Sequence, residues 1–270
     1  MRRAVSCSLA LLAIVALYYL SRTLQAPTQA PAAAETPKAK AKADPGPPIE
    51  AVEYEGHRYT VCTVDLRKFG LELFWRDGHK RPFRGFATLE SWLNGKGKRL
   101  LFAMNAGMYT EDFAPVGLYV ENGKELRPLN LASGSSNFCL KPNGVFAVTD
   151  DGAKIVESSK YPTIKGITRL ATQSGPMLVI DGKLHPKFGR NSTSRLFRDG
   201  VGVLSPDEVV FAITEDPVNF HEFATFFRDG LGCDNALFLD GSICSVYSTA
   251  LHRCDSMAEL GPILAVTGKL

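Results

Sequence analysis

The sequence has little excess charge of either sign. Its 31 lysines and arginines nearly balance 28 aspartates and glutamates, which leaves a formal net charge of +3. Part of this small surplus lies near the N-terminus, in Arg2, Arg3 and Lys38. A nucleic-acid-binding domain usually carries a basic face, and the composition gives no sign of one in the rest of the chain. We therefore predict no nucleic-acid partner.

Several short motifs of known chemistry are also missing. The chain has no Cys-x-x-Cys pair, no Gly-x-Ser-x-Gly turn and no phosphate-binding loop with its lysine. These absences argue against a zinc ribbon, an α/β-hydrolase and a P-loop nucleotide site. His221 and Glu222 begin the pattern of a zinc metalloprotease, but Thr225 stands where the second histidine is needed. We predict no dedicated metal site.

Cysteine is scarce, and its number inside the predicted domain is odd. The chain has six cysteines, of which five lie beyond residue 50. In an oxidising compartment, a disulfide among Cys233, Cys244 and Cys254 is one interpretation, and the spacing does not choose the pairing. Buried free thiols are the alternative for Cys62 and Cys139.

A long unbroken apolar run lies near the N-terminus. Two arginines precede residues 8–20, a run shorter than the about 20 residues of a spanning helix and typical of a signal peptide. We interpret residues 1–26 as a signal peptide or a retained membrane anchor, and both readings stay open. Residues 27–50, rich in proline, alanine and lysine, are predicted to be a disordered linker. The domain at 51–270 is then periplasmic or extracellular, and it meets the inner membrane through the N-terminal segment alone.

Turn signals recur between short runs of alternating apolar and polar residues. Asn-Gly and Asp-Gly dipeptides tolerate the positive φ angles of tight hairpins. They occur at Asn122-Gly123, Asn143-Gly144, Asp151-Gly152 and Asp181-Gly182. Residues 98–105 predict a buried strand, and Phe220 to Leu231 predict an amphipathic helix with Asn219 and Glu222 as its capping box. The predicted fold class is α+β: a large, mostly antiparallel sheet system with many hairpins and few helices.

Polar groups beside small residues follow several predicted strands, and these segments are candidates for chemistry. They are Asn105 with Gly107, Ser174 with Gly175, Arg195 after a polar stretch, and Asp240-Gly241-Ser242 with Glu215 on another strand end. An amide can bind a sugar hydroxyl, and backbone N–H groups can bind an anion. The planar guanidinium matches phosphate, and a partly buried carboxyl can act as a general acid. For each segment, the alternative is a turn residue that bonds its own backbone.

These segments together resemble the phosphodiester glycosidase family, and within it the bacterial exported branch. The resemblance lies in Phe102–Tyr109, Ser174–Pro176, Ser194–Arg195 and Leu231–Ser242. It extends from about Tyr59 to the C-terminus. The family usually has Asn-Gly-Gly-Phe where this chain has Asn105-Ala106-Gly107-Met108, and Asp-Gly-Gly where it has Asp240-Gly241-Ser242. The resemblance implies hydrolysis of a sugar-1-phosphodiester to free sugar and phosphomonoester, with a sugar phosphate or glycan as substrate.

Roles for the residues follow from this reaction. Arg195 is predicted to bind the phosphate, Asp240 to activate water or stabilise the oxocarbenium-like centre, and Glu215 to be the second catalytic carboxylate. The predicted substrate-binding residues are Asn105, Gly107, Ser174, Gly175, Gly241 and Ser242. No cofactor is predicted, and a divalent cation shared by Asp240 and Glu215 is an alternative. Two other functions stay open: a non-catalytic envelope protein that binds glycan or phosphopolymer, and a glycosidase or phosphodiesterase acting on another bond.

Overall fold

The computed structural model describes residues 46–241 and 243–270. The predicted signal peptide or anchor at 1–26, most of the predicted linker, and Ser242 lie outside the described residues. The first strand begins at Ile49, so the last two residues of the predicted linker belong to the folded domain. Within the described ranges, no helix is both long enough and apolar enough to cross a bilayer.

Seventeen strands, numbered along the described part of the chain, form three sheets with antiparallel pairing throughout. The seven-stranded sheet has the order β1 (Ile49–Tyr54), β2 (His57–Asp65), β13 (Glu208–Thr214), β12 (Asp199–Ser205), β14 (Asn235–Asp240), β10 (Met177–Ile180), β11 (Lys183–Leu184). One five-stranded sheet has the order β16 (Arg253–Cys254), β15 (Val246–Ser248), β4 (Lys98–Asn105), β17 (Ile263–Lys269), β3 (Leu71–Phe74). The other has the order β6 (Lys124–Arg127), β5 (Tyr119–Glu121), β9 (Thr168–Ser174), β7 (Gly144–Thr149), β8 (Gly152–Glu157). The predicted fold class is confirmed.

The main hydrophobic core lies where the three sheets meet. Phe211 of β13 packs against Phe102 of β4, with ring centroids 5.7 Å apart, and against Phe146 of β7 at 6.2 Å. All three side chains belong to one buried cluster. Because β4 is covered on both faces, its sequence is a continuous apolar run rather than an alternating one.

Two helices cover the outer faces of the sheets. Helix α1 (Phe86–Asn94) buries Phe86, Leu89 and Leu93 in a second cluster with the sheet that contains β4. The helix begins after Gly85 without a side-chain cap.

Helix α2 (Phe220–Thr225) continues into a π-helical turn (Phe226–Gly230) and packs on the seven-stranded sheet. The predicted capping box is confirmed, since Asn219 accepts the backbone N–H of Glu222 and the Glu222 carboxylate accepts that of Asn219. The stacked rings of Tyr59 and Phe226, 3.8 Å apart, attach the helix to β2.

Three of the four predicted dipeptide hairpins are confirmed, and the one at Asn143-Gly144 is wrong. Strand β7 begins at Gly144 and follows a short 3-10 turn, Asn137–Cys139, rather than a strand. The buried Asn143 amide donates to the Phe138 carbonyl at 2.8 Å. A Cβ on Gly144 would lie 2.9 Å from Met177 Cγ. In this dipeptide, Asn143 therefore makes a side-chain hydrogen bond and Gly144 allows Met177 to approach the backbone. It does not form a turn with positive φ.

The central strands of the large sheet bring charged residues to one edge. Strand β12 runs antiparallel to both neighbours, and its first residue, Asp199, pairs with Asp240 at the end of β14 and with Ile213 near the end of β13. The start of one strand and the ends of two others therefore meet at this edge. Chemistry-bearing residues that are far apart in the sequence are neighbours here.

Candidate active site

Strand β14 delivers Asp240 to the wall of a cavity. The four residues before it, 236–239, are fully buried, and Asp240 itself is 7% exposed. Its backbone N–H donates to Asp199 Oδ1 at 2.7 Å, and its own Oδ1 accepts the Gly241 N–H at 2.6 Å. A carboxylate held by its backbone on a buried strand has a defined direction, as a catalytic group requires.

The cavity beside Asp240 has a volume of about 450 Å³. Its lining residues are Met108, Tyr109, Val116, Ser136, Asn137, Phe138, Asp240, Gly241 and Ile243. Two aromatic side chains thus share the walls with one carboxylate. Mostly apolar walls with few polar groups are typical of small-molecule sites, and aromatic faces suit the apolar face of a sugar ring.

Asn105 lies next to Asp240, as predicted, but its amide is used within the protein. The side chain is 1% exposed. Its Nδ2 donates to the Ile243 carbonyl and lies 3.5 Å from Asp240 Oδ2, while its Oδ1 accepts the Ser245 N–H at 2.9 Å. The amide therefore fixes Asp240 and the segment that follows it, and the predicted contact with a sugar hydroxyl is not part of this arrangement.

Ser174 and Gly175 lie outside the cavity wall and fix the segments that form it. The Ser174 hydroxyl is fully buried and donates to the Leu239 carbonyl at 3.0 Å. A Cβ on Gly175 would lie 2.6 Å from Asn143 Cβ and 3.0 Å from the Phe138 carbonyl oxygen. Neither residue lines the cavity. Ser174 holds the end of β14, and Gly175 admits the segment that carries Phe138.

The remaining predicted glycines are required by their surroundings. Gly107 has φ of +129°, which disfavours any other residue. Gly241 lines the cavity, and a Cβ there would lie 2.6 Å from Cζ of the buried Phe238 ring. The third member of that predicted motif, Ser242, lies outside the described residues.

Arg195 and Glu215 do not line the cavity. Arg195 pairs with Glu222 and donates to the Pro217 carbonyl at 3.3 Å, with its side chain 43% exposed. Glu215 pairs with Arg253 and accepts the Thr60 hydroxyl at 2.7 Å.

The position of Glu215 separates it from Asp240. Glu215 follows β13, and β12 lies between β13 and β14, the strand that ends with Asp240, so the two backbones are about 10 Å apart. The structure therefore brings Asn105, Gly241 and Asp240 together and leaves both predicted charged partners aside.

Arg198, which the sequence interpretation missed, is the arginine beside Asp240's strand. It is fully buried, donates to the carbonyls of Val218 at 2.9 Å and Ser194 at 3.0 Å, and stacks on Phe220 with Cζ 3.8 Å from the ring centroid. Its Nη1 has no hydrogen-bond partner among the described residues. That nitrogen lies 3.6 Å from the position of a Cβ on Gly241, directly behind the cavity wall.

Burial lowers the pKa of Arg198 to about 10, which still leaves it a cation at neutral pH. Its sequence position explains why it was missed. The sequence patterns point to polar groups at strand ends, whereas Arg198 immediately precedes the start of β12. In an antiparallel sheet, strand starts and strand ends share an edge, so both are candidate positions.

Tyr109 is the second missed residue. Its hydroxyl donates to the Glu259 carbonyl at 2.7 Å, and its ring packs on Gly261, where a Cβ would lie 2.4 Å from the ring. Burial, together with the negative charges of Asp240 and Glu259, raises the pKa of Tyr109 to about 12. The phenol therefore stays neutral and fixed in the wall. Its position in the sequence, four residues after Asn105, was the signal that could have identified it as a site residue.

The five cysteines of the domain are all free thiols, so the disulfide interpretation is not realised in this structure. Cys233 is buried, Cys254 is exposed, and the Cys244 thiol contacts the Asp240 carbonyl oxygen at 3.5 Å. Burial raises the pKa of Cys244 well above its usual value, and the negative charge of Asp240 adds to the shift. A nucleophilic thiolate is therefore disfavoured at this position.

The described part of the chain offers no group of three side chains that could bind the suggested divalent cation. Within the described ranges, no group of three or more histidine, cysteine, aspartate or glutamate side chains is arranged to hold a metal. Of the two carboxylates suggested for a shared cation, Asp240 ends β14 and Glu215 follows β13, and β12 lies between these two strands.

Comparisons with known proteins agree with the fold and with the family resemblance. The sequence model of the phosphodiester glycosidase family matches residues 98–253. The chain is 36% identical to the uncharacterized protein YigE of Escherichia coli strain K12 over 185 residues, which is 68% of this chain and 72% of that protein.

Solved structures share the fold at low sequence identity. The catalytic domain of zebrafish N-acetylglucosamine-1-phosphodiester alpha-N-acetylglucosaminidase, auto-inhibited by its pro-peptide, matches with a TM-score of 0.58 over 81% of both chains at 13% identity. A hypothetical protein from Synechocystis matches with a TM-score of 0.50 and 13% identity over 82% of this chain and 61% of its own. From the family model and the curated relative, we conclude that the chain belongs to the phosphodiester glycosidase family.

Proposed function

We propose that the protein is an exported glycoside hydrolase that cleaves a sugar-1-phosphodiester into a free sugar and a phosphomonoester. Family membership supports this class of reaction. The proposed substrate is a glycan or sugar phosphate of the cell envelope or the extracellular space. Export rests on the basic and apolar residues at 1–26, and the domain then acts in the periplasm or outside the cell, tethered if that segment is retained.

One observation carries the proposal: the Asp240 carboxylate lies in the cavity wall, and the buried Arg198 guanidinium, with one nitrogen unbonded among the described residues, lies close to the neighbouring Gly241. Asp240 lines the cavity, and Arg198 Nη1 lies just behind Gly241. A phosphodiester bound in the cavity carries one negative charge, which a nearby desolvated cation stabilises more strongly than it would in water. We propose Arg198, rather than Arg195, as the source of this positive potential.

The arrangement suits the bond that is broken. Water attacks the anomeric carbon, the bond from that carbon to the phosphate oxygen breaks, and the phosphomonoester leaves with the bonding electrons. A phosphate leaving group departs with little protonation, so the main needs are charge stabilisation and a positioned water. Asp240 is proposed to orient and deprotonate the water or to stabilise the oxocarbenium-like centre, and Tyr109 and Phe138 to flank the sugar ring.

The test is a panel of sugar-1-phosphodiesters incubated with the purified domain, with and without chelator. The expected products are reducing sugar and phosphomonoester in equal amounts. Release of the alcohol with the sugar 1-phosphate intact would instead assign a phosphodiesterase. A loss of turnover with chelator would assign a bound cation to the site.

A second arm separates an enzyme from a binding protein. Asp240→Asn is expected to abolish most turnover while retaining binding of a non-hydrolysable sugar phosphonate, measured by calorimetry. Asp181→Asn, at an exposed hairpin turn, is the matched control. If the unaltered protein binds the phosphonate yet no member of the panel is turned over, the non-catalytic glycan-binding function replaces the proposal.

A further inference from the structure

Asp199 is a second carboxyl group that none of the roles above uses. It is the first residue of β12, is fully buried, and lies opposite Asp240 in the sheet. Its Oδ1 accepts the backbone N–H of Asp240 at 2.7 Å. Its Oδ2 is buried and has no hydrogen-bond partner among the described residues. An ionised carboxylate in such a place loses the solvation of water without replacing it.

The groups around Asp199 add negative rather than positive charge. From β14 it faces Asp240, from the following segment it faces the Cys244 thiol, and from β13 its pairing partner is Ile213, which carries no charge. The neighbouring cation, Arg198, bonds two backbone carbonyls and makes no hydrogen bond to Asp199 among the described contacts. Among the described residues, no cation bonds Asp199 to compensate a charge on it.

The same conclusion follows from proton affinity. Burial, and next the negative charge of Asp240, raises the pKa of Asp199 well above its usual value, although the backbone N–H of Asp240 and the nearby Cys244 thiol oppose the shift. Two carboxyl groups this close ionise in succession rather than together. The proton of the pair therefore stays on Asp199, the fully buried member.

We propose that Asp199 is a positioning residue that works as a neutral carboxylic acid, holding Asp240 by its backbone while adding no charge behind the cavity. This inference rests on the proposed function, because the benefit of a neutral group lies in admitting an anionic phosphodiester. When Asp199 loses its proton at alkaline pH, a second negative charge appears beside the site and repels the substrate phosphate.

The stability of the protein tests the protonation state without any substrate. In the unfolded chain Asp199 ionises above about pH 4. While the folded protein keeps the proton, raising the pH favours the unfolded state, and stability falls until the folded pKa is passed. The amide introduced by Asp199→Asn has no proton to lose in this range. The melting temperature of Asp199→Asn minus that of the unaltered protein is therefore expected to rise by about 3 °C or more between pH 4 and pH 7. A difference that stays flat overturns the proposal.

Infrared spectroscopy of the unaltered protein gives a test that does not depend on the variant folding. A buried protonated carboxyl absorbs as a carboxylic acid at neutral pH, where ordinary aspartates and glutamates absorb as carboxylates. The expected result is an acid band at pH 7 that disappears at alkaline pH. Where Asp199→Asn folds, it lacks that band. No acid band at pH 7 overturns the proposal.

Activity measurements test the second part of the proposal, that a neutral Asp199 favours an anionic substrate. We expect kcat/KM for the phosphodiester to fall at least about tenfold as Asp199 ionises, since a new charge lies close to the substrate. Asp199→Asn removes this alkaline fall, and Cys244→Ala retains it. If Cys244→Ala removes the fall instead, the thiol is responsible and the proposal is overturned. If no phosphodiester is cleaved at all, the proposed function fails, while melting and infrared data still decide whether Asp199 is neutral.

Discussion

Two groups of ionisable residues, one beside Asp240 and one around Glu215, differ in how their charges are paired. In the cavity group, Arg198 and Asp199 are fully buried, and each has a polar atom without a partner among the described residues. In the ion-pair group, Arg253 bonds both Glu215 and Asp255, and the three side chains are 23–31% exposed.

The comparison separates structural charge from functional charge. Partly exposed ions that pair with each other neutralise their charges and contribute modestly to stability. A buried ionisable group whose polar atoms lack some of their partners is costly, so a fold retains one where something else benefits, most often a bound ligand. The sequence alone did not distinguish the groups, because Glu215 and Asp240 both follow buried strands.

The largest expected effect contrasts the two carboxylates. We expect Asp240→Asn to lower kcat by about 10² to 10⁴-fold, because it removes the carboxylate in the cavity wall. Glu215→Gln, which removes a charge already neutralised by Arg253, is expected to change kcat by less than about threefold. Steady-state kinetics with a phosphodiester that the substrate panel shows to be cleaved measure both effects. A large loss in Glu215→Gln would restore it as the second catalytic carboxylate.

The next contrast is between the two arginines. Arg198→Lys is expected to lower kcat/KM by about 10 to 100-fold, because a lysine cannot reproduce a guanidinium that bonds two carbonyls and stacks on Phe220. Arg195→Lys, at an exposed ion pair, is expected to have little effect. Binding of the phosphonate by calorimetry is the second measurement. If the order of the two effects is reversed, Arg195 is the phosphate ligand that the sequence suggested.

A smaller effect, on stability, concerns the Asn105 amide, which fixes Asp240 and the segment after it. Asn105→Leu removes the hydrogen-bond partner of the buried Ser245 N–H and of the partly buried Ile243 carbonyl. Each such group costs about 1–3 kcal/mol, so we expect a loss of free energy of unfolding in that range or above, measured by denaturant titration. Asn94→Leu, on an exposed helix end, is the control. Equal stability of both variants would contradict the assigned role of Asn105.

The smallest effect is expected in the ion-pair group. Arg253→Met removes two surface-accessible ion pairs and is expected to cost about 1 kcal/mol or less, with kcat/KM almost unchanged. Because salt screens exposed charges, the cost should shrink further at high ionic strength. Melting curves at low and high salt measure it. A loss of several kcal/mol, or of activity, would mean that this group belongs to the site.

Local patterns predicted much of the secondary structure. The strand at residues 98–105, the Asn219 capping box and the hairpin at Asp181-Gly182 were all readable, because each depends on neighbours in the sequence. The Asn143-Gly144 prediction failed for the opposite reason. Its amide bonds the Phe138 carbonyl and its glycine packs against Met177, and the turn chemistry of a dipeptide does not reveal contacts made by other segments.

The candidate site was only half predictable. Asp240, Asn105 and Gly241 were found because they follow buried strands, and the structure places them together. Arg198 and Asp199 were missed because they stand at a strand start. Nothing in the local pattern distinguishes Arg198 from Arg195, three residues earlier, until burial and partners are known.

By itself, the sequence determined that this chain builds antiparallel sheets, which residues cap its second helix, and which strand ends carry an amide and a carboxylate. Those features depend on side-chain alternation, turn dihedrals and near neighbours. Tertiary structure alone decided which charges are paired and which are buried without partners. That depends on the order of β13, β12 and β14 in the sheet, since the energy of a charge is set by what surrounds it in space rather than by what adjoins it in the chain.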